Sequence, residues 1–453
     1  MSRTVRVEHL ARVEGHGGIA VELDGERVKS VRFDVFEGAR LLERLIRGRR
    51  FDEVSPIVSR ICAICSAAHA LTSIEATESA FEVEVSPTTR RYRDLMFRGE
   101  NIESHALHLF LLAAPDYLSY PSAIAMAERH RDAVALGLRL KKLGNLIQDT
   151  VGGRAIHPVN AVVGGFGRLP STDELVALED ALESGVSDAL SATEMVASLP
   201  HAEFVDADTA FAALHTPTRY GYCSGDAIVL RRNGDTTRFA IEDYRALTNE
   251  RVVPHSHAKH SHNDGVPFMV GALARLAVNG AMLTEPARSV MRTLSLTLPS
   301  RNPMDNNKAQ AVELILDIEL ALDDVRRLLN DGPPAESRVP VAPRAGVGTS
   351  VTEAPRGLLA HRYSYDDAGR ILAADVITPT AMNAASIESH FRAAVAADPA
   401  ADDATLTRRL EMIARAYDPC ISCSVHLSRR RPPGDRRAPR EGAPPCRTRS
   451  ESW

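Results

Sequence analysis

The sequence predicts an α+β fold that is mostly α-helical, with a central bundle of long helices and β hairpins at the periphery. Three observations support this prediction. Apolar residues recur at helical spacing over long stretches of the chain, whereas other, shorter segments alternate apolar and polar residues. Hydrophobic residues also make up 44% of the 453 positions, which is enough to form a large buried core.

The N-terminal part of the chain predicts a small antiparallel sheet followed by two helices. The turn residues Asp24-Gly25-Glu26 separate two of the alternating segments, as in a hairpin. The predicted strands are residues 4–7, 18–23 and 28–35, and the predicted helices are residues 40–46 and 67–81.

The middle of the chain predicts the bundle, because its long helical stretches are joined by short links that contain prolines. These helices are residues 88–114, 122–150, 171–198 and 306–329. Further hairpins are expected around residues 219–231 and 362–377. The segments 152–170 and 331–357 are rich in glycine and proline, and we expect ordered loops that approach another group closely.

The end of the chain differs sharply in composition from the rest. Residues 427–453 contain many arginines and prolines and almost no aliphatic residues, so they cannot bury a core. We therefore expect one domain, residues 1–426, and an extension, residues 427–453, that is disordered or removed. Cys446 lies in this extension, and we assign it no catalytic role.

Composition and charge exclude several classes of protein. A net charge of -5 gives no electrostatic footprint for nucleic acid. The N-terminus lacks the apolar segment of a signal peptide, and no stretch has the length needed to span a bilayer. Six cysteines in a chain of this length do not form the disulfide framework of a small secreted domain. Reduced thiols suit a cytoplasmic protein, although export together with a partner remains open.

Two cysteine pairs are the most informative feature for function. Cys62 and Cys65 form one Cys-x-x-Cys motif, and Cys420 and Cys423 form another near the opposite end of the chain. Each pair can place two sulfurs on one ion, and thiolates select soft metals such as zinc, nickel, copper(I) or iron. A structural zinc site is the alternative interpretation, since two such pairs commonly bind tetrahedral zinc. Zinc ribbons are usually local, however, so the separation of over three hundred residues favours a functional centre.

The residues around both pairs carry a family resemblance. Arg60, Cys62, Cys65 and His69 match Arg-x-Cys-Gly-x-Cys-x-x-x-His, with Ala63 in place of the glycine. The C-terminal motif Asp-Pro-Cys-x-x-Cys-x-x-His is matched in full by Asp418, Pro419, Cys420, Cys423 and His426. Further matching blocks are Arg-Val-Glu-Gly-His at 12–16, Ser-His-Ala-Leu-His at 104–108, Pro-Asp-Tyr at 115–117, Gly-Arg-Ala-Ile-His-Pro at 153–158, Glu-Ala-Pro-Arg-Gly at 353–357 and Pro379-Thr380. Along nearly its whole length to His426, the chain resembles the large subunit of nickel–iron hydrogenases.

This resemblance implies the ligands of a nickel–iron centre. All four cysteines would bind nickel as thiolates, and Cys65 and Cys423 would also bridge to an iron that carries carbon monoxide and cyanide. Cys62 and Cys420 would be terminal ligands of nickel. The implied reaction is the reversible heterolytic cleavage of H2, in which a terminal thiolate accepts the proton.

The resemblance also gives roles to residues around the metals. Glu14 occupies the family position that takes the proton from a terminal cysteine such as Cys420. Arg356 would lie over the open side of the metals, where a guanidinium can polarise H2. Without the resemblance, Glu14 would be an exposed carboxylate at a strand end and Arg356 an ordinary surface arginine.

Further residues are expected to hold the cyanide ligands and tune the metals. Arg356 and Thr380 would donate hydrogen bonds to cyanide, and Pro355 and Pro379 would shape the pocket around it. His69 is expected to form a hydrogen bond near the bridging sulfur of Cys65. Its alternative interpretation is an interfacial histidine with satisfied hydrogen bonds.

A second, hard metal site is implied near the end of the domain. The family pattern places a carboxylate ahead of the first cysteine, and Glu43 occupies that place. His426 and a backbone carbonyl at Val376 would complete the protein ligands of magnesium, or of iron in its place. Without the resemblance, Glu43 would be a solvated charge on a helix.

Two other features attract attention as candidate metal or thiol sites. The run Pro254-His255-Ser256-His257-Ala258-Lys259-His260-Ser261-His262 could bind zinc or nickel. The family carries a similar Ser/Lys/His loop without a metal, which favours an ordered polar loop near the site or a partner. Cys223 has no partner in sequence and is interpreted as a small buried residue.

The resemblance finally implies processing and partners. A dedicated maturation protease would cut after His426 once nickel is in place and release residues 427–453. Electrons would pass to a small subunit with iron–sulfur clusters near residues 62–69, and from there through diaphorase subunits to NAD(P), as in the cytoplasmic bidirectional and sulfhydrogenase alpha-subunit branch. The alternatives among enzymes are a hydrogen-sensing relative and a cofactor-coupled form that uses another acceptor. An alternative of a different class is the related quinone-module subunit of respiratory complex I, which has lost the cysteines that are retained here.

Overall fold

Helices dominate the chain, and strands form four small sheets. The computed structural model describes residues 2–38, 41–223, 225–333 and 337–425. The described α-helices are α1 (Leu42–Ile46), α2 (Phe51–Val58), α3 (Ser66–Phe81), α4 (Pro87–Leu107), α5 (Ala114–Tyr117), α6 (Ala123–Met126), α7 (Arg131–Gly152), α8 (Thr172–Ser198), α9 (Tyr244–Thr248), α10 (Ala272–Asn279), α11 (Glu285–Thr293), α12 (Asn306–Asp331), α13 (Pro379–Ala397) and α14 (Asp403–Ala416). The strands are β1 (Ser2–Val7), β2 (Gly17–Asp24), β3 (Arg27–Val35), β4 (Ala161–Val162), β5 (Gly165–Phe166), β6 (Ala210–His215), β7 (Ala227–Arg232), β8 (Asp235–Phe239), β9 (Phe268–Met269), β10 (Gly346–Ala354), β11 (Gly357–Tyr365) and β12 (Ile371–Ile377).

The four long helices α4, α7, α8 and α12 pack against one another as the predicted central bundle. Local signals fix their ends. The Ser86 hydroxyl accepts a hydrogen bond from the Thr89 N–H at the start of α4, and Ser171 and Glu174 form a capping box on α8. The α+β, mostly helical fold is therefore confirmed.

Two of the predicted helices differ in extent from the observed ones. The stretch 88–114 begins as α4 and continues through a π-helical segment, His108–Ala113, into α5. The stretch 122–150 is broken between α6 and α7. Only Met126 is buried among residues 121–130, so no packed apolar face continues the helix across the break.

The small sheets lie around the bundle. The sheet β1-β2-β3 is antiparallel, as predicted, and the strands β10-β11-β12 form a second antiparallel sheet. The hairpin expected around residues 362–377 is confirmed as β11–β12. Around residues 219–231, β6 and β7 pair antiparallel across the connection 216–226, and β7 pairs again with β8 through a turn at Asn233-Gly234. The segment 152–170 is ordered and contains the short pair β4–β5.

The sequence predictions miss three elements that matter for the site. Strand β10 lies in the segment 331–357, which was wrongly expected to be a loop, and its last seven residues are all buried. Helix α13 is buried on almost every side over its first turns, and α14 follows it directly. An element covered on all faces shows no polar–apolar period, which explains why pattern analysis does not detect β10 and α13.

A buried ion network connects the bundle to the hairpin β10–β11. Arg275 on α10 donates two hydrogen bonds of 2.7 Å to Glu313 on α12 and one of 3.1 Å to Glu353 on β10. The same guanidinium donates to the carbonyl oxygens of Ala354 and Pro355 at 3.0 Å. Arg275 therefore fixes the turn that follows β10.

Replacing Arg275 by methionine is expected to destabilise the protein by about 3–5 kcal/mol, because it leaves two buried carboxylates without their cation. The change should appear as a lower apparent melting temperature. Arg292→Met, which breaks a solvent-exposed pair with Glu285, is the matched control and should leave the melting temperature nearly unchanged. Equal melting temperatures for both variants would contradict this account of the network.

Among the described residues, no helix has both the length and the apolar character needed to cross a membrane.

Candidate metal centre

The first cysteine pair is positioned by the start of α3. Cys62 follows the short 3-10 helix Ser59–Ile61, and Cys65 caps α3 and donates its N–H to the Cys62 sulfur at 3.2 Å. Glu100 on α4 accepts hydrogen bonds from the Ala67 and Ala68 N–H groups at 2.6 and 2.9 Å. These hydrogen bonds satisfy N–H groups of the first turn of α3 and hold the helix start in place beside the cysteine pair.

The second pair is held by contacts with the N-terminal part of the chain and with α13. The Cys420 N–H donates to the Thr380 hydroxyl at 2.9 Å, and the Ile421 N–H donates to the Glu14 carbonyl at 2.9 Å. Gly15 has a φ of +88°, and a β-carbon there would lie 2.7 Å from the Ser422 nitrogen. Only glycine therefore allows this close approach between the two ends of the chain.

The four sulfurs of these cysteines meet in one buried cluster. The Cys62 and Cys420 sulfurs are 3.2 Å apart, the Cys65 and Cys423 sulfurs are 3.8 Å apart, and all four lie within 4.8 Å of one another. Each cysteine is 5% exposed or less. The predicted convergence of the two distant pairs is confirmed.

Protonation of this cluster supports metal binding. Burial raises the pKa of Cys65 and Cys420 well above the ordinary value, and that of Cys423 to about 11. Burial also acts to raise the pKa of Cys62, but hydrogen bonds from the other three thiols outweigh burial and hold this pKa well below the usual value. Because burial opposes ionisation of these thiols, a cation that binds them must displace their protons. Four buried sulfur donors fit nickel or another soft metal.

Arg356 reaches the cluster from a tight turn. The register of β10 and β11 pairs Ala354 with Gly357, so that Pro355 and Arg356 form a two-residue turn. Gly357 has a φ of +125°, and a β-carbon there would lie 2.6 Å from the Gly271 nitrogen. The turn is therefore closed by glycine and fixed from behind by the buried network.

The Arg356 guanidinium is bound on one side and available on the other. Its Nε donates to the Asp418 carbonyl at 2.7 Å, and its Nη2 donates to the Asp418 carboxylate at 2.9 Å. Its Nη1 is buried without a hydrogen-bond partner among the described residues. Burial acts to lower the pKa of Arg356, but Asp418, Cys420 and Cys62 raise it well above the ordinary value. One N–H group is thus left for a ligand beside the sulfurs.

Glu14 connects the cluster to the less buried side of the chain. Its Oε2 accepts from the Cys420 sulfur at 3.0 Å and from the Ser422 N–H at 3.1 Å, and its Oε1 accepts from the Ser422 hydroxyl. The residue itself is half-buried. A carboxylate in hydrogen-bond contact with a cysteine can take a proton from its sulfur.

The ring of His69 has a hydrogen-bond partner other than the expected sulfur of Cys65. Its Nδ1 forms a hydrogen bond of 3.1 Å with His361 Nε2, and His361 Nδ1 contacts the Tyr363 hydroxyl at 2.6 Å. The hydrogen bond between His69 and Cys65 joins backbone atoms. Burial lowers the pKa of His69 to about 4, so the ring is neutral. The described contacts thus give His69 a different partner from the sulfur of Cys65.

The other expected pocket residues belong to elements that reach the cluster through Thr380 or Arg356. The Thr380 hydroxyl accepts from the Cys420 N–H, and Pro379 is the first residue of α13. Pro355 occupies the turn beside Arg356. Ala63, which replaces the glycine of the first motif, is exposed within this chain, so its methyl group does not crowd the cluster.

A cavity of about 380 Å³ adjoins the cluster beside Val425, the last described residue. Glu43, Val376, Cys423 and Val425 are among the residues that line it, and the Glu43 carboxylate accepts from the Val376 N–H at 2.9 Å. Two of the three expected magnesium ligands are therefore neighbours. His426, the third, lies outside the described residues, as do residues 427–453 with Cys446.

Cys223 is remote from this chemistry. It is 5% exposed, burial raises its pKa well above the ordinary value, and it lines a different cavity with Glu75, Glu78 and Arg93. Its interpretation as a small buried residue agrees with this position.

Sequence analysis did not assign roles to three residues that support the site. Asp418 was only part of a motif, yet it orients Arg356. Glu100 secures the start of α3, and His361 contacts His69. Single polar residues inside buried elements have no periodic signal, so only the Asp-Pro-Cys context of Asp418 could have pointed to a role.

The fold and this cluster together define a protein with a buried, sulfur-bound transition-metal centre. Residues 40–143 and 235–426 match a family model described as nickel-dependent hydrogenase, and residues 4–37 match one described as HoxL-like. The chain belongs to the nickel-dependent hydrogenase family.

Individual proteins agree with this assignment. The chain is 39% identical to sulfhydrogenase 1 subunit alpha of Pyrococcus furiosus, over 94% of this chain and 98% of that protein. It is 36% identical to sulfhydrogenase 2 subunit alpha of the same organism, over 93% and 99%. A crystal structure of an NAD+-reducing [NiFe]-hydrogenase in the H2-reduced state matches with a TM-score of 0.84 and 28% identity, over 94% of this chain and 99% of that one. A reduced, active Ni-Fe-Se hydrogenase from Desulfomicrobium baculatum, 22% identical with a TM-score of 0.73, shares the fold.

The predicted function is thereby confirmed at the level of the family. The chain is the catalytic subunit of a nickel-dependent hydrogenase and thus an oxidoreductase. The four-cysteine cluster is its metal site, in agreement with a nickel-dependent family rather than a structural zinc protein.

Proposed function

We propose that this subunit catalyses the reversible heterolytic cleavage of H2 at a nickel–iron centre held by Cys62, Cys65, Cys420 and Cys423. The observation that supports the proposal most strongly is the meeting of four buried sulfurs with a carboxylate in direct contact with one of them. When bound, the metals supply an open coordination position and accept the two electrons of H2. Iron in this centre carries carbon monoxide and cyanide.

The resemblance to nickel–iron hydrogenases gives different proposed roles to the two members of each pair. Cys65 and Cys423 are the proposed bridging ligands. Cys62 and Cys420 are the proposed terminal ligands of nickel. Of these two, Cys420 is the one in contact with Glu14, so its sulfur is the proposed proton acceptor.

The proton leaves through Glu14. It moves from the Cys420 sulfur to Oε2 of the carboxylate, and Ser422 holds the carboxylate in place through its N–H and its hydroxyl. Because Glu14 is half-buried, it can pass the proton on towards solvent.

The remaining pocket residues position ligands around the metals. The free Nη1 of Arg356 and the Thr380 hydroxyl are the proposed donors to cyanide, while Pro355 and Pro379 shape the pocket. His69 is proposed to tune the metals from near the bridging sulfur of Cys65, with its ring oriented by the hydrogen bond to His361.

Arg356→Lys should lower the turnover of H2 by about 10²–10³-fold while nickel is retained, because lysine cannot hold Asp418 and keep a second donor in place. Turnover and metal content of the purified enzyme measure this. Arg362→Lys changes a cation on the same hairpin, which contacts the Thr349 hydroxyl, and should leave turnover unchanged. If both variants kept wild-type turnover, the role of Arg356 would be refuted.

The cavity beside the cluster is the proposed site of the hard metal. Glu43, the carbonyl of Val376 and His426 are its proposed ligands, with magnesium or iron as the ion. A maturation protease is proposed to cut after His426, so that the new chain end closes the cavity after nickel has been inserted.

The electrons released from H2 must pass to a partner subunit. Outside the four-cysteine cluster, the described part of the chain contains only Cys223, which cannot hold an iron–sulfur cluster. A small subunit with such clusters is therefore proposed, near residues 62–69. The similarity to sulfhydrogenase alpha subunits supports an assembly of several subunits, and the similarity to an NAD+-reducing hydrogenase supports NAD(P) as the acceptor. Diaphorase subunits are proposed as the route to NAD(P), and a cytoplasmic location is proposed because reduced thiols suit it.

The proposal is tested by purifying the chain with its partners and assaying H2-dependent reduction of NAD+ or NADP+. We expect reduction of one of them, together with exchange of hydrogen isotopes between H2 and water. Isotope exchange without reduction of either nucleotide would refute the coupling, and absence of both from nickel-loaded enzyme would refute the activity.

A further inference from the structure

A second group of metal-ligating side chains lies on the face formed by β3, α13 and the histidine-rich loop, residues 254–262. His255 and His260 come from the loop, and Glu388 comes from α13. One ligand atom from each residue falls within 4.8 Å of the other two. The His255 Nε2 is 2.8 Å from one carboxylate oxygen of Glu388, and the His260 Nδ1 is 3.8 Å from the other.

The environment orients these ligands. The Phe33 N–H on β3 donates to the Glu388 carboxylate at 2.8 Å, which fixes the carboxylate between the two rings. Among the described residues, the ion-pair partners of Glu388 are these two histidines, with no lysine or arginine. Within the described part of the chain, the carboxylate thus faces two imidazoles and no permanently charged side chain.

His260 shows that this group is not satisfied by the protein alone. The residue is 3% exposed, its Nε2 has no hydrogen-bond partner within the described ranges, and the 3.8 Å between its Nδ1 and Glu388 exceeds a hydrogen bond. A buried imidazole of this kind has a lone pair available to a cation. His255 and Glu388 are each about one-fifth exposed at the side chain, so water can reach the opposite side.

We propose that His255, His260 and Glu388 bind a divalent transition-metal ion, with zinc as the best match and a water molecule as the fourth ligand. Two imidazoles and one carboxylate form a ligand set that zinc uses in proteins. A tetrahedral zinc separates its ligand atoms by about 3.4 Å, which lies between the shortest and the longest separations in this group. Small side-chain rotations therefore suffice.

The ion would hold the histidine-rich loop against the sheet and α13. Within the loop, Ala258 pairs with Val425, the last described residue, and the His257 N–H donates to the Val35 carbonyl at 2.8 Å. The site thus fastens the loop that covers the end of the domain, and it does so with ligands separate from the four cysteines.

The test is the zinc content and zinc-edge X-ray absorption of the purified, nickel-loaded complex after dialysis against Zn²⁺ and removal of free metal. We expect about one zinc per chain, with nitrogen and oxygen ligands at about 2.0–2.1 Å and no sulfur at about 2.3 Å. His255→Asn and Glu388→Gln should each remove this zinc. His257→Asn, in the same loop but outside the group, should retain it.

Absence of zinc from the wild-type complex would overturn the proposal, and so would zinc surrounded by sulfur, which would indicate misloading of the cysteines. Retention of the nitrogen- and oxygen-bound zinc in both ligand variants would also overturn it. If the variants do not fold, the zinc-edge spectrum and the zinc content of the wild-type complex are sufficient to accept or reject the proposal.

Discussion

Replacing Cys420 by serine is expected to abolish nickel retention and H2 oxidation together. The serine hydroxyl is a harder ligand that stays protonated at neutral pH, so the nickel would lose a thiolate and the proton would lose its acceptor. Changes in hydrogen bonds around a metal cost about 10–100-fold in affinity or activity, and loss of a direct ligand should exceed that range. Nickel per chain and H2-dependent dye reduction measure the two effects.

Cys223→Ser is the matched control, since Cys223 is also a buried free cysteine but lines a different cavity. It should retain nickel and most of the activity. Full nickel content and turnover in Cys420→Ser would show that the cluster is not the catalytic metal site.

Replacing Glu14 by glutamine is expected to lower the rate of H2 oxidation by about 10²–10⁴-fold without loss of nickel. The amide has the size of the carboxylate and can still contact Ser422, but it cannot carry a proton away from the Cys420 sulfur. Isotope exchange between H2 and water should slow in parallel, because it requires the same proton to reach solvent.

Glu22→Gln provides the comparison for this variant. Glu22 is a partly buried carboxylate on β2, the strand that follows Glu14, and lies 4.0 Å from Arg32. Its replacement should change neither exchange nor turnover. Wild-type exchange in a nickel-loaded Glu14→Gln enzyme would require another route for the proton.

The sequence is sufficient to predict the four sulfur ligands of the metal centre but not most of the contacts that surround them. The four cysteines lie in two Cys-x-x-Cys motifs, which by themselves indicate metal binding, and the structure brings their sulfurs together as expected. Glu14 contacts the Cys420 sulfur, and Glu43 and Val376 line a cavity that Cys423 also lines, while the roles of these residues stay predictions.

The features that could not be predicted from the sequence depend on contacts between distant segments of the chain. The partners of Arg356 and His69 are Asp418 and His361, which lie far away in the chain. Strand β10 and helix α13 are buried on nearly all sides, so their patterns give no period. The break between α6 and α7 likewise follows from the absence of a packing surface rather than from a proline or glycine.

Nickel-edge X-ray absorption of the purified enzyme tests most directly whether one metal is held by sulfurs from both ends of the chain. We predict nickel with a first shell dominated by sulfur, which disappears when either Cys62 or Cys420 is replaced by serine. Nickel bound only by nitrogen and oxygen, or a sulfur shell found around zinc and not around nickel, would contradict the account.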